Sequence, residues 1–546
     1  YSNGNGFFNS ISDSFPMIGP FVVEHYSSFR REYVSMGMDF NGDAYSDFHI
    51  SMLNQAYIIF LHDPTNTFNR VLSFTNGLGT KSSPEYLPLT NPEVYSKDHT
   101  ATYPLRDIQP AMYVVSAVRR ANIQTEKPLI TEKYFYNGAK VHMQGKGFLG
   151  FAKRTVHNLI QNISTEEVNA IYKPNNYYYY PYNASTITKY NNRPNAFTLS
   201  ESYNLIAHKT NSTNQKVFFP YIERSNAWTY EYSSQAHQLS TRRIAQYDNF
   251  GNLTQLTELS DSLLKTIMDP NSAFNHEKIT ETTYLYDNVN WLFRPDFVQT
   301  KVRYHSQPDI IHKTVYDYYP IGHPSFPLLR TLNDCPNGDQ TNPLLLATSY
   351  EYDAYGNVIK QILSAPVGPS PSSRTTEIAY APEFKHRLPT SETNAMGYLN
   401  IFEYDDQYGR LLTEADPNGL TTTHTSHPLG IESWVEMPDE TMSCKAIRWV
   451  NNHPDAPENA TFYEWTKTSG QAEQLVFYHK TGAELRSVST GFDGTLIYTD
   501  TEYDDKNRVV RVSTPYFKTG PTNEFTEYEY DAIGRKQSVR APDGTT

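Results

Sequence analysis

A chain of 546 residues is too long for one hydrophobic core, because cores stop growing near roughly 250–300 residues, so we expect several domains or a repeat array. Aromatic residues make up 14% of the sequence, which excludes general disorder, and the 43 Tyr with 34 Pro and 27 Gly exclude helical bundles and coiled coils. The net charge of −13, with no Lys/Arg run longer than two residues, argues against nucleic-acid binding.

The residue types and the two chain ends further restrict the possible fold class and the possible types of site. Tyr, Thr and Val favour half-buried pleated surfaces, so we expect a predominantly β fold. Cys335 and Cys444 are too few for a disulfide framework or a zinc ribbon, and whether they are free or paired stays open. No apolar run approaches the roughly 20 residues of a membrane span. The chain begins at Tyr1 without a signal peptide and ends at Thr546 within a repeat, so we expect a piece or a processed product of a longer polypeptide.

An oxygen-rich segment near the amino terminus predicts a calcium loop. Five residues around Gly42 could supply ligands at alternating positions: Asp39, Asn41, Asp43, Tyr45 through its carbonyl, and Asp47. Such hard oxygen ligands suit Ca²⁺, and a bound ion would be structural. The segment is not an EF-hand, since the twelfth position is Ile50; it resembles FG-GAP-type loops of β-propeller blades. Alternating apolar residues on both sides predict flanking strands, and a metal-free Asx-rich hairpin remains the alternative.

The middle of the chain carries two aromatic stretches. Residues 134–151 combine Tyr134-Phe135-Tyr136-Asn137-Gly138 with the glycine-rich run from Gly145 to Phe151. We expect His142, which lies between these segments, to be structural rather than catalytic. Residues 172–192 are rich in Tyr and Asn and could form a sugar-binding platform, but we favour strand residues whose rings pack on a sheet.

A short unit, Tyr-Asp-x-x-Gly-Asn/Arg followed by alternating apolar residues, recurs in the second half. Its full copies and a variant with Asn507 in place of Gly begin as follows: Tyr247-Asp248 with Gly251, Tyr352-Asp353 with Gly356, Tyr404-Asp405 with Gly409, Tyr503-Asp504, and Tyr530-Asp531 with Gly534. Two further pairs look like degenerate copies: Tyr286-Asp287 and Tyr316-Asp317. Chance Tyr-Asp pairs in a β-sandwich would not keep Gly at this offset.

Each unit predicts a strand, a turn and a return strand. Tyr ends the first strand, and Asp starts a turn by accepting hydrogen bonds from its own backbone. Gly, or Asn in its place, adopts the left-handed conformation that closes the hairpin. A second turn often follows, as at Asp416-Pro417-Asn418-Gly419. One such module cannot bury its own face, so we expect neighbouring modules to join in a continuous sheet.

These units resemble RHS, or YD, repeats, and the surrounding sequence is similar to the B component of bacterial Tc toxin complexes. The similarity runs from about residue 30 to the end. It includes residues 134–151 and the stretch from Gly491-Phe492-Asp493-Gly494 through Tyr503-Asp504 to residues 511–516, which is similar to the transition into C-component repeats. Adhesins and teneurin-like surface proteins also carry YD repeats, but the glycine-rich segment favours the toxin branch.

The resemblance implies an all-β fold in which YD hairpins form a curled, spiralling sheet. Residues 1–60 would end a β-propeller, FG-GAP-like module, 61–240 would form a β-rich middle region, and 241–546 would form the repeat shell. In that family the shell is hollow and encapsulates a toxin. The implied function is therefore secreted, extracellular encapsulation and delivery. The implied partners are a toxin-bearing C component, or a carboxy-terminal continuation of the same chain, and a pore-forming A component.

The alternatives are a surface adhesin or carbohydrate-binding protein built from the same repeats, and an enzyme. The sequence has no Gly-x-Ser-x-Gly elbow, no His-Glu-x-x-His and no phosphate-binding Gly-rich loop. Complete RHS toxins end in an aspartate-bearing self-cleaving core, which would lie beyond the last repeat of this chain. We therefore predict no catalytic residues and no cofactor other than structural calcium.

Overall fold

The structure is a computed structural model, and in the residues that it describes the regular elements longer than one turn are all β-strands. It describes residues 33–38, 47–52, 55–59, 70–110, 112–123, 129–175, 177–191, 196–210, 217–262, 274–304, 307–366, 372–382, 385–518, 520 and 524–546. In this part of the chain no helix is long and apolar enough to cross a bilayer. The predicted all-β fold is confirmed.

The chain divides into two compact units. The first comprises Tyr1–Phe68 with the short segments Pro88–Thr90 and Pro110–Tyr113, and the second comprises the rest. The first unit contains an antiparallel meander of three strands: β1 (Tyr33–Met38), β2 (Asp47–Met52) and β3 (Gln55–Ile59). Since β1 and β2 pair with each other, the predicted calcium segment connects two strands of a hairpin. The assignment of residues 1–60 to a propeller module stays a prediction.

The second unit begins with short strands gathered around one long strand. These are β4 (Phe74–Thr75), β5 (Lys81–Pro88), β6 (Tyr95–Ser96), β7 (Leu105–Asp107), β8 (Tyr113–Arg120) and β9 (Leu129–His142). Strand β9 pairs antiparallel with β7, β8 and the following strand, and in parallel with β6. The long strand therefore anchors the start of the large sheet.

From β9 onward, each strand pairs antiparallel with the next along the chain, with one branch near the end. The strands are β10 (Gly147–Asn158), β11 (Ile163–Tyr172), β12 (Tyr180–Tyr190), β13 (Phe197–Thr210), β14 (Phe218–Tyr230), β15 (His237–Tyr247), β16 (Leu253–Asp261), β17 (His276–Asp287), β18 (Leu292–Tyr304), β19 (Ile310–Tyr318), β20 (Leu329–Pro336), β21 (Leu346–Tyr352), β22 (Val358–Ala365), β23 (Ser372–Tyr380), β24 (Pro389–Thr393), β25 (Leu399–Tyr404), β26 (Leu411–Ala415), β27 (Thr421–Ser426), β28 (Glu432–Glu436), β29 (Met442–Trp449), β30 (Ala460–Thr468), β31 (Gln474–His479), β32 (Glu484–Thr490), β33 (Leu496–Tyr503), β34 (Val509–Ser513), β35 (Tyr516–Phe517), β36 (Phe525–Tyr530) and β37 (Lys536–Arg540). The branch is at β33, which pairs with both β34 and β35. At the two ends, β4 pairs with β5 and β37 pairs with β36.

The sheet is a single layer, and few of its side chains are fully buried. The solvent-accessible area of the chain is 34227 Å², whereas a compact protein of this mass would expose about 20,000 Å². The buried residues form small clusters and not one central core. One such cluster consists of Phe477, Val488 and Tyr498 with their neighbours. The sheet continues without a break across residue 240, and the assignment of residues 61–240 and 241–546 to separate regions stays a prediction.

The two middle segments that carry the toxin-family resemblance form one hairpin. Residues 134–138 lie in β9 and the glycine-rich run begins β10, with Tyr136 opposite Arg154 and Ala139 opposite Phe151. The pairing is interrupted between Phe148 and Phe151, where a bulge displaces two residues. The Phe151 ring packs on Tyr136 at 4.7 Å between centroids. The sequence motif is therefore a bulged, aromatic hairpin.

Substituting Gly138 tests the packing of this hairpin. Gly138 has a φ of 66°, and a Cβ there would lie 2.8 Å from the Cβ of Ala152 and still closer to Asp98 Oδ2. Gly145, at the hairpin tip, has a φ of 92° but open space around it. Both alanine variants carry backbone strain of about 1–2 kcal/mol. We expect Gly138→Ala to lose a further ~1–3 kcal/mol from overpacking, measured by urea unfolding. An equal loss of unfolding free energy in the two variants would contradict close packing of Gly138 against Ala152 and Asp98.

Candidate functional site: the repeat turns and the seam

The Tyr352-Asp353 unit shows how a repeat turn is built. The Asp353 N–H donates to the Asn357 carbonyl at 3.0 Å, and the Gly356 N–H donates to the Asp353 carbonyl at 3.2 Å. Gly356 has a φ of 89°, so the turn ends in a left-handed residue. The Asp353 carboxylate accepts from the backbone N–H groups of Tyr355 and Asn357 at 2.8 and 2.9 Å. The aspartate therefore satisfies donors that the strands leave unpaired.

The other Tyr-Asp units lie at turns of the same construction. In each, the aspartate carboxylate accepts two or three backbone N–H groups, and the residue at the glycine position has a positive φ: 89° at Gly251 and Gly534, 68° at Gly409, and 62° at Asn507. Asn507 can replace glycine because Asn adopts the left-handed region at low cost. The turn after Asp405 is one residue longer, as its sequence spacing predicts.

The repeat tyrosine marks a β-bulge. The strand register shifts at Tyr247, Tyr352, Tyr404, Tyr503 and Tyr530, immediately before the turn in each case. The hydroxyl groups of Tyr352, Tyr503 and Tyr530 donate to the carbonyl of the first residue of a neighbouring paired strand, at 2.7–2.8 Å. Bulges increase local twist, so a bulge at every repeat turn curls the sheet.

The two degenerate copies have different outcomes. Asp287 starts a turn whose backbone donors are Val289 and Asn290. The prediction for Tyr316-Asp317 is wrong, because Asp317 lies within β19, where it pairs with Thr331 and forms an ion pair with Arg330. The spacing after Tyr316 contains no residue that would close a turn.

Sequence reasoning missed turns in which another residue takes the place of aspartate. Asn394 accepts from the N–H groups of Met396 and Tyr398 at 2.9 and 3.1 Å, and Gly397 closes the turn with a φ of 80°. His479 begins a similar turn, closed by Gly482. The signal that could have found the first is Asx-x-x-Gly without a preceding Tyr.

The residue after the repeat glycine joins its own turn to another turn. The Asn357 side-chain amide donates to Asp353 Oδ2 at 2.9 Å and to the His386 carbonyl at 2.7 Å. Arg410 likewise bonds Asp405 and also donates to the Ser426 carbonyl at 2.6 Å. This explains why the position prefers Asn or Arg, whose several donors can serve two acceptors at once.

Turns far apart in sequence also meet, and we call these contacts the seam. They are Thr80 with the Lys480 carbonyl, Asn122 and Ile123 with Asp505 and Asn507, and Glu231 with Arg535. The contacting residues are separated by 400, 383–384 and 304 positions respectively. The large sheet therefore curls back on itself, so that its late turns rest on its early turns.

Asn507 and Arg535 make the most specific seam contacts. The Ile123 N–H donates to Asn507 Oδ1 at 2.8 Å, and the Asn507 amide donates to the Ala121 carbonyl at 3.2 Å. Arg535 donates to Asp531 of its own turn at 2.7 Å and to Glu231 at 3.1 Å. Two repeat positions thus also contribute to the seam: the turn-closing residue Asn507 and Arg535, which follows the turn-closing Gly534.

A partly buried polar network lies at the branch on β33. Arg486 and Asp500 form a bidentate pair at 2.5 and 2.9 Å, and Asp500 also accepts from the Tyr516 hydroxyl at 2.7 Å. Asp455, which is 8% exposed, accepts from Tyr498 and Lys518, each at 2.6 Å. Burial and the hydrogen bond to Asp500 raise the pKa of Tyr516 to about 12. Every charge in this network is paired with an opposite charge, so we infer that the network is structural and holds the branched strands together.

The remaining predicted site residues take varied positions. Asp39, Asn41, Asp43 and Tyr45 lie outside the described residues, and Asp47 begins β2, so calcium binding stays a prediction. Within the described ranges no group of three His, Cys, Asp or Glu could hold a metal ion. His142 is 5% exposed, and its ring packs on Tyr179 with 4.3 Å between the centroids. Cys335 on β20 and Cys444 on β29 are buried free thiols.

The repeat aspartates should make the sheet sensitive to acid. The Tyr408 N–H lowers the pKa of Asp405, and the Leu420 N–H lowers the pKa of Asp416. Burial raises the pKa of Asp353, but the hydrogen bonds from Asn357 outweigh it and lower the pKa overall. A lowered folded-state pKa contributes stability above the unfolded pKa of about 3.9, and this stability is lost as pH falls through the folded pKa.

We expect Asp353→Asn to lower the free energy of unfolding by about 1 kcal/mol at pH 7, because it removes a charge-assisted hydrogen bond. The difference from the unsubstituted chain should disappear as pH falls below about 4, in urea unfolding measured between pH 7 and pH 2.5. Asn394→Asp is the matched control and should gain the same acid sensitivity. A difference that stays constant with pH would contradict a role for the carboxylate charge.

Asn507→Gly separates the seam from the turn. Glycine keeps the left-handed turn, as in the other repeats, but loses both contacts with residues 121–123. We expect faster hydrogen exchange at the Ile123 amide, with unchanged protection of the β33–β34 ladder. Asn507→Ala should loosen both regions, because alanine is strained at this φ of 62°. If hydrogen exchange at the Ile123 amide is unchanged in the glycine variant, the hydrogen bonds of Asn507 do not stabilise the seam.

Comparison with known proteins agrees with this geometry. The sequence model described as the insecticide toxin TcdB middle/N-terminal region matches residues 9–177. The fold resembles the crystal structure of TcdB2-TccC3-TEV, with a TM-score of 0.61 and 11% identity over 96% of this chain and 38% of that one. It also resembles TcdB2-TccC3-Cdc42, with a TM-score of 0.62 and 12% identity over the same shares.

This chain thus spans less than two fifths of the length of the solved chains that it resembles. No curated protein matches the sequence. The sequence match lies on the amino-terminal side, whereas the similarity in fold extends over nearly the whole chain. The chain is therefore similar to the TcdB toxins in sequence over residues 9–177 and in fold over nearly its whole length.

Proposed function

We propose that the chain forms part of the wall of a hollow β-shell that encapsulates a toxin cargo. The observation that carries this proposal is the seam: a single-layered sheet whose turns at residues 505–507 and 535 rest on turns at 121–123 and 231. A wall built in this way needs no packed core, and its paired strands leave few open edges along its length.

The exposed area and the turn contacts of the sheet suit a wall that encloses another polypeptide. The chain exposes 34227 Å², far more than a compact protein of its mass, and we infer that much of the sheet surface can face an enclosed chain. The turn aspartates and the clamping Asn and Arg residues keep the hairpins together without a second layer. We infer a structural role rather than an enzymatic one.

The partners that we propose come from the solved structures whose fold this chain resembles. Solved relatives combine TcdB2 with TccC3, so we propose that a toxin-bearing C component, or a continuation of the same chain, extends the sheet from β37. We further propose that the amino-terminal side docks to a pore-forming A component. The protein would act outside the cell that produces it, and calcium in the segment 39–47 would be structural.

Co-expression with a C partner tests enclosure directly. Low-resolution electron microscopy of the purified complex should show a hollow particle, and the enclosed segment should resist a protease that digests it when it is free. A solid rod, or a segment digested equally fast in both states, would overturn the proposal.

The Asn507→Gly variant supplies the matched control for that experiment. If the seam helps to seal the wall, the variant complex should still assemble but should lose protease protection of the enclosed segment. Asn394→Asp, which changes a turn without a seam contact, should keep the protection.

A further inference from the structure

The large sheet contains a window between β12 and β13. These strands pair only from Ser185, opposite Tyr203, to Tyr190, opposite Phe197. Beyond this point β12 stays fully paired with β11, and β13 stays fully paired with β14. Two intact hairpins therefore separate from each other and leave a cavity of about 230 Å³.

Polar contacts close the window at both ends. At one end the Asn204 side-chain amide donates to the Asn183 carbonyl at 3.0 Å. At the other end the Tyr172 hydroxyl and His208 Nδ1 are 2.6 Å apart, so β11 reaches β13 across the end of β12. Only residues 180–183 of β12 lie between these bridges, a length of about 10–13 Å at the usual rise of a strand.

The lining combines aromatic rings with amides and contains no charged side chain. The residues around the cavity are Tyr180, Tyr182, Asn183, Asn204, Ile206, Tyr221 and Ile222. Burial raises the pKa of Tyr221, and the negative charge of Glu223 raises it further. The Tyr221 phenol therefore stays protonated at neutral pH and can donate a hydrogen bond.

Several polar groups of the window make no hydrogen bond within the described residues. Among the described residues, the hydroxyls of Tyr180, Tyr182 and Tyr221 have no hydrogen-bond partner, whereas the repeat tyrosines Tyr352 and Tyr503 donate to neighbouring strands. The Asn183 amide oxygen accepts from Thr186 and Asn204, but within the described chain its NH₂ group donates to no acceptor. The residues that line the cavity thus carry hydrogen-bonding groups that the sheet does not use.

We propose that this window binds a neutral saccharide, one pyranose ring at a time. Tyrosine rings offer flat apolar faces to the C–H side of a sugar ring, and phenols and amides match its hydroxyl groups. An uncharged lining beside one carboxylate disfavours anionic ligands. An extended peptide would need a longer open edge than the two bridges leave. This site goes beyond the shell function and does not depend on it.

Saturation-transfer NMR with the whole chain tests the site. The probes are methyl α-D-glucopyranoside, methyl β-D-galactopyranoside and N-acetylglucosamine, with glucose 6-phosphate as the anionic counterpart. We expect ring-proton signals from at least one neutral probe and weaker signals from the phosphate. Tyr182→Ala should weaken binding by about tenfold, since it removes a stacking surface, and Tyr182→Phe by about threefold, since it removes only a hydroxyl.

Tyr177→Ala is the matched control, because Tyr177 is 77% exposed and does not line the window. It should bind the probe as the unsubstituted chain does, and circular dichroism would check that all variants keep their strands. No signal from any neutral probe, equal binding by Tyr182→Ala, or a signal only from an extended Gly-Thr-Thr-Gly peptide would overturn the proposal.

Discussion

The structure depends on one kind of turn, in which an Asx side chain accepts backbone N–H groups and a left-handed residue follows three positions later. At Asp353 and Gly356 this turn places a bulge beside the last strand residue. The same local geometry recurs through the second half of the chain. Because each bulge adds twist in the same sense, many small local choices accumulate into a curled sheet.

A single-layered sheet must replace the stability that a packed core gives to other proteins. Part of the replacement comes from tyrosine hydroxyls that reach the neighbouring strand, as Tyr530 reaches the Val509 carbonyl at 2.7 Å. Another part comes from residues such as Arg410, which bond two turns at once. Hydrogen bonds of this kind contribute about 1 kcal/mol each, so many copies are needed, and repetition supplies them.

Tyrosine has two separate uses in this sheet. At the bulges of Tyr352, Tyr503 and Tyr530, the hydroxyl is bonded to a backbone carbonyl of a neighbouring strand. Around the window between β12 and β13, three tyrosines line a cavity and their hydroxyls, among the described residues, are not bonded. Composition alone cannot separate these uses, because both place tyrosine in strands with alternating residues. The difference arises from whether the neighbouring strand is close enough to accept.

The sequence by itself determined the hairpins. The Tyr-Asp-x-x-Gly spacing predicts turns because Asp, Gly and Asn act on their own backbone within five residues, and such local effects can be read from sequence. It did not reveal the turn at Asn394, where the tyrosine is missing, and it suggested one at Asp317, where none forms.

Only the tertiary structure decided how far the sheet curls. The pairing of Asn122 with Asp505, and of Glu231 with Arg535, depends on twist summed over more than twenty strands. The window likewise depends on where two hairpins separate. Small differences in each bulge add up over such distances, and no local pattern of residues records the sum.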